Sequence, residues 1–154
     1  MPKHEKTVPD PAQTLTPRPT SIRPGWPPAK NRRQAIGQLG ERLAAEHLER
    51  RGMKIVARNQ RTRYGEIDLI ARDGGTLIFV EVKTRSARST NPQIPVPLEG
   101  WSYKQRRRLR RLAAAWLAAR PEAARGGSST RFDAVGVVLD GRCRLIRLEH
   151  LENV

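Results

Sequence analysis

The stretch Gly65-Glu66-Ile67-Asp68-Leu69-Ile70-Ala71-Arg72-Asp73, Gly74-Gly75, Thr76-Leu77-Ile78-Phe79-Val80-Glu81-Val82-Lys83-Thr84-Arg85 decides the fold. Two runs rich in Ile, Leu, Val and Phe, joined through Asp-Gly, predict a β-hairpin. Residues 77–82 are apolar on both strand faces, the pattern of a strand inside a sheet rather than one half in water. Glu81, Lys83 and Asp68 interrupt these runs. Ionised groups there are costly to desolvate unless they are paired or hold a metal.

Alternation gives them a geometry. Glu81 and Lys83 are two residues apart and project from one face of the sheet. A two- or four-residue connection at the turn predicts Asp68 opposite Phe79, Glu66 opposite Glu81, and all the charged groups on that face. Two carboxylates converging beside a lysine make a divalent-cation site with an amine next to it that handles protons or stabilises charge.

Asp68 followed by Glu81-Val82-Lys83 resembles the PD-(D/E)xK nuclease signature, with Ile67 where the signature has proline. A longer series is more specific: Gly37-x-x-Gly40-Glu41, Arg58-Asn59-x-Arg61, Gly65 to Ile70, Phe79 to Arg85, and Arg131-Phe132-Asp133. In this order it resembles the YraN-like family of bacterial proteins, placed among endonuclease-like folds, over residues 33–154. The resemblance implies an α/β restriction-endonuclease-like core, a central mixed sheet flanked by helices. It also implies Mg²⁺ or Mn²⁺ held by Asp68, Glu81 and the Val82 carbonyl, with Glu41 as a further or water-mediated ligand. Lys83 completes the catalytic set.

At 154 residues the chain is long enough for one core. Thirty Lys and Arg against fifteen Asp and Glu give +15, which favours a polyanionic partner, above all nucleic acid. No run approaches membrane-spanning length, and no secretory signal is visible. One cysteine, Cys143, rules out an internal disulfide and suits a reducing cytoplasm. The three histidines are scattered, without zinc-ligand spacing.

Residues 1–32 hold eight of the twelve prolines and few large apolar side chains, so this basic extension is expected to be disordered. From Arg33 to Arg51, Ile36, Leu39, Gly40, Leu43, Ala44 and His47 repeat with helical period, and Gly52 ends the helix. Spacing alone makes Glu41 a solvated glutamate; the resemblance moves it to the metal. Residues 53–57 read as a strand and 58–64 as a connection, where Arg58, Arg61, Arg63 and Tyr64 suit phosphate and base contacts. Residues 86–100, with Pro92, Pro95 and Pro97, read as an irregular loop. Here Ile94-Pro95 replaces the aromatic-glycine pair of the family.

A second helix is expected over residues 101–120, with Leu109, Leu112, Ala113, Trp116 and Leu117 as its buried stripe. Lys104, Arg107, Arg108, Arg110 and Arg111 are expected to point away from the core, towards phosphates, because so many like charges on one helix repel without anions. Lys104 and Gln105 match family positions near the cleft, and Arg85 closes the family motif of the catalytic strand. Residues 118–130 read as a connection. Residues 131–139 and 142–148 read as strands across an Asp140-Gly141 turn, with Cys143 a small strand residue and Asp133 paired first with Arg131.

The leading expectation is metal-dependent hydrolysis of a nucleic-acid phosphodiester. DNA is favoured over RNA, although no residue discriminates them, and a four-way junction would favour a homodimer. The rivals are a nuclease-like protein that binds nucleic acid without cleaving it, and an adaptor whose basic tail binds acidic partners.

Overall fold

The computed structural model describes residues 31–87, 97–124 and 129–154. The expected disorder of the N-terminal extension and most of the expected proline-rich loop lie outside these residues. The elements run α1 (Arg32–Arg50), β1 (Lys54–Thr62), β2 (Gly65–Asp73), β3 (Thr76–Ser86), α2 (Tyr103–Ala118), α3 (Pro121–Ala124), β4 (Ser129–Leu139) and β5 (Leu145–Leu151). The five strands form one sheet in the order β1-β2-β3-β4-β5. Only β3 and β4 are parallel among these neighbours. The chain crosses between them through α2, as a parallel pair requires. The result is the mixed sheet flanked by helices that the sequence predicts.

Each helix covers one face. Leu39, Ala44, Ala45 and Leu48 of α1 pack on Leu69, Ala71, Ile78, Val80, Val135 and Val137. Leu109, Leu112, Ala113 and Trp116 of α2 pack on Ile67, Ile70, Leu77 and Phe79. Burying each large aliphatic side chain stabilises by about 1.5–3 kcal/mol. The Phe79 ring meets Trp116 edge-on at 5.8 Å and stacks on Phe132 at 6.0 Å. The two helices start differently. Ser102 and Gln105 form a reciprocal capping box at α2, whereas Asn31 gives α1 no side-chain cap. Packing must therefore carry α1.

Several boundaries differ from expectation. Strand β1 continues through Arg58 and Arg61, so the predicted connection shrinks to a turn at Arg63 and Tyr64. Main-chain pairing with β2 holds these polar residues in a strand despite their low strand propensity. A short helix, α3, occupies the start of the predicted connection after α2. The last strand begins at Leu145 instead of Arg142. Asp140 accepts the N–H groups of Arg142 and Arg144 and thereby holds a longer turn. Cys143 lies in that turn with φ 61° and not in a strand, and burial raises its thiol pKa.

Beyond the C-terminal end of α1, Asp133 is fully buried. It accepts Arg131 Nε and a terminal guanidinium nitrogen at 2.9 and 2.8 Å, bonds with His150 Nε2 at 2.9 Å, and accepts the Asn153 N–H at 3.1 Å. The expected Arg131 pairing is thus observed. Burial opposes ionisation of Asp133, but these donors outweigh it and hold its pKa below the usual range. His47, at the core edge as expected, sits 3.2 Å from His150 Nδ1. Burial and the neighbouring His150, Arg51 and Arg50 push its pKa down to about 4.

Asp133→Ala is expected to cost about 3–5 kcal/mol in urea denaturation, because it strands the buried end of Arg131. The pH dependence has a definite sign. An unfolded His47 takes up a proton below 6.5, while the folded one resists until about 4. Stability should therefore fall as pH drops through that window, and His47→Gln should flatten the fall.

Candidate active site

The site forms where two strands part. Pairing of β2 with β3 runs from Asp73↔Thr76 to Leu69↔Val80 and stops. The turn is the two-residue Gly74-Gly75 pair, and Ile70 rather than Asp68 lies opposite Phe79. The predicted register is thus displaced by two residues. Because side chains alternate with period two, this displacement leaves the paired faces unchanged. Glu66 does not face Glu81; it pairs with Arg61 on β1.

Past Val80, β3 keeps β4 on one side as far as Ser86 but has lost β2 on the other. Strict alternation also fails at Asp68. Leu69 and Ala71 lie under α1, yet both Ile67 and Ile70 lie under α2. Asp68 sits in this fork, and its Oδ2 accepts the Val82 N–H at 2.7 Å, in place of a main-chain partner. In an extended strand a residue's N–H and C=O leave the backbone on the same side, so the Val82 carbonyl also addresses the fork.

A cleft of about 450 Å³ opens there, lined by Arg33, Gly37 and Glu41 of α1, by Asp68, and by Glu81, Val82, Lys83 and Thr84. Arg33, Gly37 and Glu41 are four residues apart and share one helix face. That spacing could have flagged Arg33, which sequence reasoning missed. Gly40 fixes the approach of α1: a Cβ there would lie 1.9 Å from Thr84 Oγ1.

Electrostatics divide the carboxylates. Burial lifts the pKa of Asp68 to about 7; the Val82 N–H opposes the rise, Glu81 and Glu41 add to it, and Lys83 again opposes. Glu41 is also raised, by burial and by Glu66, against a hydrogen bond from Asn59. Glu81 instead carries two cations, with Lys83 Nζ 2.6 Å from Oε1 and a guanidinium nitrogen of Arg108 3.1 Å from Oε2. Arg108 was expected to point away from the core and instead pairs with Glu81, which lines the cleft.

Among the described residues no three His, Cys, Asp or Glu side chains gather into a cluster that could hold a metal ion. Asp68, Glu81 and the Val82 carbonyl still supply hard oxygen donors. They suit a cation such as Mg²⁺, which keeps several waters and takes further ligands from a phosphate. Burial raises Asp68 first, and the share that Glu81 and Glu41 add is the field a cation would relieve.

The remaining predicted contacts are spread out. Arg61 and Arg63 line a second cleft of about 510 Å³ with Trp116 and Arg120. Tyr64, 39% exposed, lies between the guanidinium groups of Arg63 and Arg111 at 4.7 and 4.5 Å. Arg58 is exposed and pairs with Leu69, so it emerges on the α1 face. Arg85 reaches the Pro97 carbonyl at 3.5 Å. Lys104 and Arg107 are exposed on α2. Gln105 is engaged at the helix cap, its Oε1 accepting the Ser102 N–H and hydroxyl at 2.8 and 2.9 Å.

The sequence profile described as "Uncharacterised protein family UPF0102" matches residues 40–137, which include Glu41, Asp68, Glu81 and Lys83. The chain belongs to this family. UPF0102 proteins of Nocardia farcinica and Beutenbergia cavernae are 46% and 47% identical over 122 residues. Each match covers 79% of this chain, and 90% and 97% of the relative. A relative from Pelotomaculum thermopropionicum is 40% identical over 79% of this chain and 95% of its own. Among solved structures, Pyrococcus furiosus SfsA in complex with Ca²⁺ is similar over 73% of this chain and 59% of that one. Its sequence identity is 20% and its TM-score 0.30.

The Gly40 contact makes a test of how this UPF0102 chain positions Glu41. Gly40→Ala is expected to destabilise by about 1–3 kcal/mol through overpacking against Thr84. Adding Thr84→Ser, which removes the crowding Cγ2 methyl and leaves the hydroxyl free to rotate away, should recover part of that loss in thermal unfolding.

Proposed function

We propose that the chain is a metal-dependent nuclease that hydrolyses nucleic-acid phosphodiester bonds, with DNA its favoured substrate and structure-specific recognition its mode. The observation that carries this reading is the fork itself. Asp68, Glu81, Val82, Lys83 and Glu41 line one open cleft at an unpaired strand edge. Arginine-rich surfaces of β1 and α2 lie nearby, and the chain carries a net +15. No described helix is long and apolar enough to cross a membrane.

Asp68, Glu81 and the Val82 carbonyl would hold Mg²⁺ or Mn²⁺, with Glu41 adding a ligand directly or through water. The ion would supply positive charge at the transferring phosphate. Glu81 fixes the Lys83 ammonium at the cleft, where it orients the attacking water and faces the charge that develops on the phosphate oxygens. Arg61, Arg63 and Arg111, interleaved with Tyr64, hold the sugar-phosphate backbone away from the reacting bond.

One observation favours a second reading, binding without hydrolysis. Glu81 is engaged by Lys83 and Arg108, so its charge is already compensated.

Cleavage of single-stranded, duplex, flap, four-way-junction and RNA substrates with Mg²⁺ or Mn²⁺ separates the two. Asp68→Ala and Lys83→Ala should each lose about 10²–10³-fold in rate while keeping their affinity. Equal activity in all three proteins would sink the nuclease reading. With roughly six phosphate contacts, the logarithm of the binding constant should fall with the logarithm of salt concentration at a slope near about −5.

A further inference from the structure

We propose that Arg108 is a movable counter-ion that makes cation binding and phosphate binding in this cleft depend on one another. The inference rests on the nuclease reading of the cleft and adds a regulation that this reading does not require.

Among the described residues Arg108 is the α2 cation paired with a Glu or Asp side chain, while Lys104, Arg106, Arg107, Arg110 and Arg111 make no such pair. One guanidinium nitrogen contacts both Glu81 oxygens, at 3.3 and 3.1 Å. The path to Glu81 passes Gly65, whose φ is 132°. A Cβ at that position would lie 3.2 Å from the other terminal nitrogen of Arg108. Gly65 thus leaves the passage that lets an arginine on the helix reach a carboxylate on β3.

The pair is asymmetric. The Glu81 side chain is 8% exposed and that of Arg108 46%. Glu81 is anchored in the sheet and also holds Lys83, so the guanidinium is the partner free to leave. An ion pair with one end this exposed is weak. A phosphate offers the guanidinium a bidentate alternative of comparable or greater strength.

The consequence is linkage. While Arg108 lies on Glu81 Oε2, its charge and its hydrogen bonds oppose a divalent cation at that carboxylate. A phosphate that draws Arg108 away frees the oxygen and removes the repulsion. By reciprocity, a cation that takes Glu81 releases Arg108 to the phosphate. Lys83, Asp68, Glu41 and Arg33 also line the cleft.

Mn²⁺ binding to the full chain, followed by calorimetry and by the paramagnetic resonance of free Mn²⁺, tests this without turnover. The probe is a short phosphorothioate single-stranded oligonucleotide, present or absent. Wild type should bind Mn²⁺ roughly 5-fold or more tightly when the oligonucleotide is present. Arg108→Ala and Arg108→Gln should bind Mn²⁺ more tightly than wild type in its absence, and the oligonucleotide should then raise the affinity by less than it does in wild type, leaving only the phosphate's own ligation of the ion. The two variants guard against a fold defect in either, which circular dichroism would reveal. Mn²⁺ binding that needs Asp68 but is unchanged by either substitution overturns the proposal and leaves the nuclease reading standing. Failure of every protein to bind Mn²⁺ overturns both.

Discussion

The β2–β3 ladder ends at Leu69 and Val80, and the chemistry of the molecule follows from that ending. Had the pairing continued, the Val82 amide and carbonyl would be engaged by a neighbouring strand, and no side chain could enter between them. With the ladder closed off, one main-chain donor is left over in a half-buried place and Asp68 satisfies it. A buried N–H cannot be left without a partner cheaply. The same contact fixes a carboxylate beside a second one on Glu81. A gap in main-chain pairing is thus turned into a place where negative charge is concentrated and water can reach it.

That concentration is tolerated because the surroundings treat the two acids differently. Glu81, nearly buried, has Lys83 and Arg108 paired on it. Asp68 is desolvated by burial, has one amide hydrogen bond to offset this and two acidic neighbours that add to it, and its proton is held correspondingly harder. Contrast Asp133, also on the sheet and more deeply buried, whose two arginine nitrogens, histidine and amide donor saturate it. Asp133 is spent on holding the end of the chain to β4, while Asp68 retains unsatisfied acceptor capacity facing an open cleft. Burial works against ionisation of both carboxylates, and what separates the structural one from the chemically available one is the number of donors that offset it.

Much of this was legible in the sequence, for reasons that also explain what was not. The hairpin and the shared face of Glu81 and Lys83 follow from period-two alternation, which survives a register error of two residues intact. The register itself depends on which residues form the turn: a turn on Asp73-Gly74 gives the predicted pairing, and one on Gly74-Gly75 the observed pairing. The stripe Leu109, Leu112, Ala113 and Trp116 followed from helical spacing. Arg108 was misassigned because a helical wheel assigns direction from Cα alone. A long side chain one step from the apolar stripe can fold over its edge when a buried carboxylate attracts it and a glycine leaves room.

The charge on α2 then reads differently from a uniformly solvated face. Repulsion among six cations within eight residues, from Lys104 to Arg111, has to be offset somewhere. Arg108 is neutralised by Glu81, Arg110 caps the Val154 carbonyl and lies over Phe132, and Arg111 lies over Tyr64. Among the described residues Lys104 and Arg106 have none of these partners, and Arg107 has only the Tyr103 ring at 5.8 Å. The residual positive field is therefore strongest in the first two turns of α2, near the arginine that reaches Glu81. A polyanion would be drawn first to these residues and would arrive beside Arg108, the guanidinium with most to exchange.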